Sequence, residues 1–158
     1  DGSYLMLPGE LVTALQEGVK LTIVLVDNHG YSSIGGLSRS LGTDGFGTQL
    51  RYRRDGSLNL DSDDEPGDYV PVDLAANAAS LGARVFRAGT IAELRDALEE
   101  AKAETRTTVI AVTVDRYAGV PSYESWWDVP VAEVSEAASV RAAREEDEHA
   151  RNAERRYM

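Results

Sequence analysis

The chain has 158 residues, 42% of them hydrophobic, and a formal net charge of −11. This length suffices for one domain with a buried core, and no apolar run reaches the roughly 18 residues of a membrane span. The acidic balance argues against nucleic acid or an anionic membrane as a partner, because both require a cationic face. The absence of cysteine excludes disulfides and thiolate metal sites, and we expect a cytoplasmic protein.

Helix-like and strand-like segments alternate along most of the chain. In chain order they are a helix over Pro8–Glu17, a strand over Leu21–Asp27, a helix over Pro71–Leu81, a strand over Arg84–Arg87, a helix over Ile91–Ala103 and a strand over Thr108–Asp115. The first and last strands are continuous β-branched runs, which are typical of strands covered on both faces. The alternation predicts an α/β fold with an open parallel sheet and helices on both faces.

Residues 38–68 break this alternation. The segment is rich in Gly, Ser and Asp, and residues 55–68 include six acidic residues and no basic one. We predict a solvated loop, and a role in closing over a substrate stays open because long loops are often functional. Asp61, Asp63 and Asp64 resemble a calcium loop only superficially, since the downstream Gly and Glu are missing.

The character of the chain changes again after Pro130. We therefore predict a division into a main domain over residues 1–130 and a charged helical tail over residues 131–158. The core-facing stripe of that tail is thin, with Val131, Val134 and Ala138 at its start. We expect His149 to be solvated there, and the distal half to fray or to pack on another chain.

Two polar residues stand where a parallel sheet would present them to a ligand. Asp1 directly precedes a helix-like segment, and Asn28 follows the first strand, 27 residues later. Both would lie at the carboxyl edge of the sheet, where ligands bind in such folds. Mg²⁺ takes oxygen ligands in near-octahedral geometry, usually with substrate phosphates and water. The pair, with the main-chain carbonyl of Gly30, therefore predicts a magnesium site.

The residues around this pair predict a phosphate site beside the metal. Gly2 and Ser3 open a helix, so their N–H groups and the helix dipole would favour an anion. Gly30 would permit either a close approach of another chain segment or a positive φ. Tyr31 would line the cofactor pocket or pack in the core at a helix start. Ser32 and its neighbour are better interpreted as helix caps than as nucleophiles.

Asp1-Gly2-Ser3 with Asn28 at this spacing resembles the motif of thiamine-diphosphate enzymes, Gly-Asp-Gly followed after about 25 residues by Asn-Asn. The first Gly of the motif would lie just before Asp1, and Asp27 replaces the first Asn. The resemblance implies the thiamine-diphosphate-binding fold over nearly the whole chain, lacking its first strand or strands. It also implies thiamine diphosphate and Mg²⁺ as cofactors, bound by Gly2, Ser3, Asn28, Gly30 and Tyr31, with Asp1, Asn28 and Gly30 on the metal.

Three segments are similar to one subfamily, the trihydroxycyclohexane-1,2-dione hydrolases of myo-inositol catabolism. They are residues 28–37, 42–47 and 123–135. The resemblance implies hydrolytic cleavage of a C–C bond in a cyclic diketone to give 5-deoxy-D-glucuronate, with the thiazolium as electron sink. It also implies a homo-oligomer, in which a glutamate of a separate pyrimidine-binding domain, from the same or a partner subunit, activates the cofactor. That glutamate lies outside this chain.

Within the chain the catalytic residues remain unassigned. His29 is a candidate for proton transfer because it adjoins Asn28, but it could equally bond the backbone of the turn. Trp126 and Trp127 would bury the C-terminal segment against the domain or form part of a substrate lid.

Two other functions stay open. One is a related decarboxylase or acetohydroxyacid-synthase-like carboligase; the other is a non-catalytic assembly domain of the same fold. A separate expectation follows from the strand that precedes the motif in the family: an isolated chain starting at Asp1 should leave a strand edge and apolar surface uncovered, self-associate and lack turnover.

Overall fold

We describe a computed structural model of the chain over residues 1–45, 47–54, 57–58, 67–118 and 129–154. Five strands and six helices lie in these residues. The elements are α1 (Gly2–Met6), α2 (Glu10–Gln16), β1 (Thr22–Asp27), α3 (Ser32–Ser40), β2 (Arg53–Arg54), β3 (Ser57–Leu58), α4 (Leu74–Ser80), β4 (Arg84–Ala88), α5 (Ile91–Ala103), β5 (Thr108–Thr113) and α6 (Ala138–Ala153).

The sheet that organises the molecule has three parallel strands in the order β1-β5-β4. The register pairs Thr22 and Arg84 with Thr108, so the three strands start level and end at one carboxyl edge. β5 is the central strand, and its Val109 and Ile110 are fully buried. This confirms the open parallel α/β sheet predicted from the alternation of elements.

The two faces of the sheet carry separate apolar clusters. On one face, Leu25 and Val109 pack with Leu11 of α2 and Leu74 of α4. On the other face, Ile110 packs with the alanines of α5. Helices therefore cover both faces, as predicted. The alternation of side chains along a strand places odd-numbered β5 residues on the first face and even-numbered ones on the second.

The prediction that both faces of β1 are covered is wrong for this part of the chain. Val24 and Val26 pair with Ile110 and Val112 and so share the face that α5 covers at β4 and β5. Both valines are nevertheless 43% exposed, so the described residues cover that face of β1 only in part. Nor does any described strand pair with the outer edge of β1.

Side-chain caps fix the starts of α4 and α5. α5 begins with the complete capping box of Thr90 and Glu93, as predicted. α4 begins at Leu74, three residues after the predicted start, because the side chain of Asp73 caps it by accepting from the N–H of Ala76 at 2.9 Å.

Residues 38–68 contain more structure than a solvated loop. β2 and β3 pair antiparallel, and two isolated bridges join Gly30 to Gln49 and Arg51 to Tyr69. The three aspartates of the calcium-like pattern lie outside the described residues, as do Trp126 and Trp127.

The tail differs from its predicted pattern. α6 begins only at Ala138, and the predicted helical ion pairs are present as Arg144–Glu148 and Asp147–Arg151. Val131 is buried as expected, but Val134 is 91% exposed and Ala138 is also exposed. The predicted core-facing stripe of Val131, Val134 and Ala138 does not form. Residues 131–137 are not helical, so helical spacing does not apply to them. His149 is exposed, as predicted.

Candidate functional site

The turn after β1 has an unusual backbone. His29 adopts a left-handed conformation with φ of 63°, which is rare for residues other than glycine. Its N–H donates to Oδ1 of Asp27 at 3.0 Å, so the strand-end carboxylate supports the turn. Asn28 and Gly30 stand on either side of His29, and the reversal of the chain between them brings the Asn28 side chain near the Gly30 carbonyl.

Asp1 joins α1 to this turn. Its Oδ1 accepts from the N–H of Gly2 at 2.9 Å, and its Oδ2 accepts from the N–H of Gly30 at 2.8 Å. Its main-chain nitrogen donates to the carbonyl of Val26 at 2.9 Å. The sequence spacing therefore predicted correctly that Asp1 and Asn28 meet at the carboxyl edge.

The Asp1 carboxylate, the Asn28 amide and the Gly30 carbonyl meet at one site, which we call the oxygen corner. One atom of the Asn28 amide group lies 3.1 Å from Oδ1 of Asp1 and 3.3 Å from the carbonyl oxygen of Gly30. If that atom is the amide nitrogen, it donates to both oxygens. If it is the amide oxygen, three oxygens face one another and need a cation between them. Neighbouring ligands in a Mg²⁺ octahedron are separated by about 2.9 Å, so this set fits the ion.

No group of three His, Cys, Asp or Glu side chains that could hold a metal occurs among the described residues. A cation at this corner would therefore draw on one carboxylate together with amide and carbonyl oxygens. Such a set suits Mg²⁺, which keeps open positions for phosphate and water, better than a transition metal.

Gly30 is required for close packing. A Cβ built on it would overlap the carbonyl oxygen of Thr48, whose segment runs antiparallel to the turn. The N–H of Tyr31 donates to that same carbonyl at 2.7 Å. Of the two roles expected for Gly30, the close approach applies, and the positive φ falls on His29 instead.

The predicted phosphate-binding residues lie around the same corner. Gly2 packs against the ring of Tyr31, where a Cβ on Gly2 would lie 2.5 Å from Cδ1 of the tyrosine. Ser3 is exposed on α1. The prediction that Ser32 caps α3 is wrong: Tyr31 is the N-cap residue, and no side chain caps this helix. The hydroxyl of Ser32 instead lies 2.8 Å from the Asn28 amide atom that faces Asp1.

His29 points away from the oxygen corner. Its Nε2 donates to the carbonyl of Val70 at 2.7 Å, and its Nδ1 lies 3.8 Å from Oδ1 of Asp27. Its ring meets the edge of Tyr69 with 5.2 Å between centroids. Both ring nitrogens therefore face protein groups of the turn and its neighbours.

Tyr69 forms the centre of a cationic cluster behind the turn. The guanidinium of Arg51 lies 4.3 Å from the centroid of its ring, and that of Arg116 lies 3.6 Å away. Arg51, which is 6% exposed, also donates to the hydroxyls of Tyr69 and Tyr117. This arrangement was missed at the sequence level, because its members lie far apart in the chain and share no motif.

A larger crevice of about 410 Å³ lies at the carboxyl ends of the strands, between Asp27 and the β4–α5 turn. Two of its charged side chains bond each other: Asp73, which also caps α4, accepts from Arg87 at 2.7 Å. The N–H of Gly89 donates to Glu93.

A family model described as "Thiamine pyrophosphate enzyme, C-terminal TPP binding domain" matches residues 1–112, which include the whole oxygen corner. The chain belongs to the thiamine pyrophosphate enzyme family. The resemblance found in the Asp1/Asn28 motif is thereby confirmed, and so is the fold that it implied.

Curated members of the family resemble most of the chain. A 3D-(3,5/4)-trihydroxycyclohexane-1,2-dione hydrolase 1 of Bacillus cereus is 43% identical over 145 residues, and hydrolase 2 of the same organism is 42% identical. A hydrolase of the same name from Bacillus anthracis is 42% identical. Each alignment covers 92% of this chain but only 22% of the relative. The chain thus spans about a fifth of the length of these family members.

Among the described helices of this family member, none has the length and apolar character of a membrane-spanning segment.

Proposed function

We propose that this chain is the cofactor-diphosphate portion of a thiamine-diphosphate- and Mg²⁺-dependent hydrolase. The proposed reaction is cleavage of a C–C bond of 3D-(3,5/4)-trihydroxycyclohexane-1,2-dione to 5-deoxy-D-glucuronate, a step of myo-inositol catabolism. The observation that carries this proposal is the meeting of the Asp1 carboxylate, the Asn28 amide and the Gly30 carbonyl, with separations of 3.1 and 3.3 Å from one Asn28 amide atom. Similarity to three hydrolases of this name supports the substrate.

In this proposal Asp1, Asn28 and the Gly30 carbonyl hold Mg²⁺, and the diphosphate lies against Gly2, Ser3 and Tyr31. Thiamine diphosphate, when bound, supplies a thiazolium that acts as an electron sink for C–C cleavage. The chain's own residues orient the cofactor. The carboxylate of Asp1 fixes the turn through Gly30, and the ring of Tyr31 closes the space beside Gly2.

The proposal keeps the division of the chain into residues 1–130, which carry the cofactor corner, and a tail over residues 131–158. It also requires a pyrimidine-binding domain, from the same or a partner subunit, to supply the activating glutamate. The half-exposed Val24 and Val26 support an association of this kind, because uncovered apolar strand faces mark interaction sites. A homo-oligomer follows if that domain belongs to a second copy.

The first experiment measures cofactor retention by the full-length protein. Replacing Asn28 with Ala removes one metal ligand, and we expect Mg²⁺-dependent retention of thiamine diphosphate after gel filtration to fall at least tenfold. Asn152→Ala, an exposed position on α6, is the matched control. Retention equal to that of the wild type in Asn28→Ala would refute the metal site.

The second experiment separates the reaction classes. The full-length protein is given the cyclic diketone or pyruvate, and the products are identified by NMR. Ring opening of the diketone supports the hydrolase. Conversion of pyruvate alone identifies a decarboxylase or carboligase, and cofactor binding without either product identifies a non-catalytic assembly domain.

A further inference from the structure

A small cavity adjoins the oxygen corner on the side away from α1. Its volume is about 10 Å³, which is room for one water molecule or one hydroxyl group. Its lining includes Asn28 and Ser32 of the corner, Arg116 of the cluster around Tyr69, and the side chains of Arg39 and Gln49. Nothing in the proposed metal and diphosphate site uses these last two side chains.

Gln49 brings an acceptor without a donor into this space. Its Oε1 is buried and has no hydrogen-bond partner among the described residues. An acceptor left in this state destabilises a protein, because it has lost its hydrogen bonds to water without replacing them. The backbone of Gln49 is fixed by its bridge to Gly30, so the side chain is held beside the corner.

Arg39 brings donors without an acceptor. Its side chain passes between two glycines, with Nη1 3.2 Å from the place of a Cβ on Gly35 and 3.6 Å from that on Gly45. Arg39 as a residue is partly buried, and its guanidinium makes no hydrogen bond or ion pair with any residue in the described part of the chain. A cation without an acidic partner is unexpected in a chain whose net charge is −11.

The unpaired acceptor of Gln49 and the unpaired donors of Arg39 together determine which class of ligand fits the cavity. A phosphate or carboxylate would satisfy Arg39 but would repel Oε1 of Gln49. A metal ion would satisfy Gln49 but would be repelled by Arg39. A hydroxyl group satisfies both, because it accepts from the guanidinium and donates to the amide oxygen.

We propose that Arg39 and Gln49 form a subsite that binds one hydroxyl group of a polyhydroxylated substrate and so determines specificity. This inference rests on the proposed function, which supplies a substrate with three hydroxyl groups. A site that hydrogen-bonds a substrate hydroxyl rejects analogues lacking it, because its own polar groups are then left unpaired.

The test compares two diketones in the full-length enzyme: the trihydroxycyclohexane-1,2-dione and the unsubstituted cyclohexane-1,2-dione. The selectivity is the ratio of their kcat/KM values. Gln49→Met and Arg39→Met should each lower this ratio by about 10- to 100-fold, mainly through KM of the hydroxylated substrate. Gln16→Met and Arg95→Met, at exposed helix positions, are the matched controls and should leave the ratio unchanged.

A binding measurement avoids dependence on turnover. Calorimetry with enzyme stripped of cofactor and Mg²⁺ should show that both variants bind the trihydroxy diketone at least tenfold more weakly than the wild type does. Thermal melting identifies a variant that has failed to fold, in which case the other variant decides.

Unchanged ratio and unchanged affinity in a folded variant would overturn the subsite and leave the cavity to a water molecule. A wild-type enzyme that opens neither diketone would instead refute the proposed function.

Discussion

The main-chain N–H of Gly30 donates to Oδ2 of Asp1 across 2.8 Å, and this bond connects the first helix to the turn after the first strand. Two segments separated by the whole of α2 and β1 are thereby locked at the edge where ligands bind in parallel sheets. The carbonyl of the same glycine faces the Asn28 amide, so one residue fixes the turn with its donor and presents its acceptor to the corner.

A methyl group at position 30 should disturb this corner. In Gly30→Ala the added Cβ overlaps the carbonyl oxygen of Thr48, and we expect a loss of about 1–3 kcal/mol in the free energy of unfolding. Mg²⁺-dependent cofactor retention should fall in the same variant, because the Gly30 carbonyl moves. Urea titration and gel filtration measure the two effects.

Gly36→Ala is the control for that substitution. Gly36 lies within α3 and has no neighbour within 4 Å of an added Cβ, so alanine should stabilise the helix by about 0.5–1 kcal/mol. Equal stability of Gly30→Ala and wild type would contradict the close approach of Thr48.

The left-handed backbone at position 29 predicts which substitutions there will reduce the stability of the protein. His29→Asn should remain close to the wild type in stability, since Asn tolerates this conformation, whereas His29→Val should lose about 1–3 kcal/mol.

Because the ring of His29 is bonded to Val70, we expect kcat of the full-length His29→Asn enzyme to stay within tenfold of the wild type. A loss of more than 100-fold would identify His29 as a proton-transfer residue.

The capping box of α5 predicts a local stability effect. Thr90→Ala removes the acceptor for the N–H of Glu93, at 3.2 Å, and should cost about 1 kcal/mol in the free energy of unfolding. Thr105→Ala, at an exposed position after the helix, should change it by less than about half that amount. A similar loss in both variants would show that the box contributes nothing specific.

Three carboxylates should make the free energy of unfolding depend on pH. Hydrogen bonds lower the pKa of Asp73, Glu93 and Asp115 below their ordinary values of 3.8, 4.5 and 3.8, chiefly those from the N–H groups of Ala76, Gly89 and Tyr117. The unfolded chain therefore binds more protons than the folded one at pH values between the lowered and the ordinary pKa values. This contribution is fully present above pH about 5 and is lost as pH falls through the lowered pKa values.

Glu93→Gln tests that linkage. The amide of Gln keeps an acceptor for the capping box but does not titrate, so the urea midpoint should fall less steeply between pH 5 and pH 3 than in the wild type. Identical slopes in the two proteins would exclude Glu93 as a source of the pH dependence.

The uncovered face of β1 predicts self-association of the 158-residue chain. Val24 and Val26 point to the same face and are each 43% exposed, so sedimentation velocity should detect species larger than the monomer. Val26→Lys should shift the distribution toward the monomer. Val134→Lys is the control, because Val134 is 91% exposed on the tail, away from β1. A monomeric wild-type chain at all concentrations would refute the expectation.

Local sequence signals determined much of the fold and part of the site. The capping box located α5, and the spacing of Asp1 and Asn28 identified the corner, because both signals depend on neighbouring elements whose geometry is fixed. Tertiary context decided the rest. The face of β1 depends on what packs against it, and the pairing of Gln49 with Gly30 depends on a return of the chain that no periodicity indicates. The role of Ser32 was misjudged because a helix-start serine can bond the preceding turn instead of its own helix.

The contact of Gly42 with α6 bears on how the tail should be regarded. A Cβ on Gly42 would lie 2.9 Å from the main-chain nitrogen of Val140, so the start of α6 packs directly on Gly42, two residues after the end of α3. α3 is therefore clamped at both ends, by the oxygen corner at one and by the tail at the other. A truncation at residue 130 would remove the contact between α6 and Gly42. A protein shortened in this way is therefore unsuitable for measuring the cofactor affinity of the longer chain.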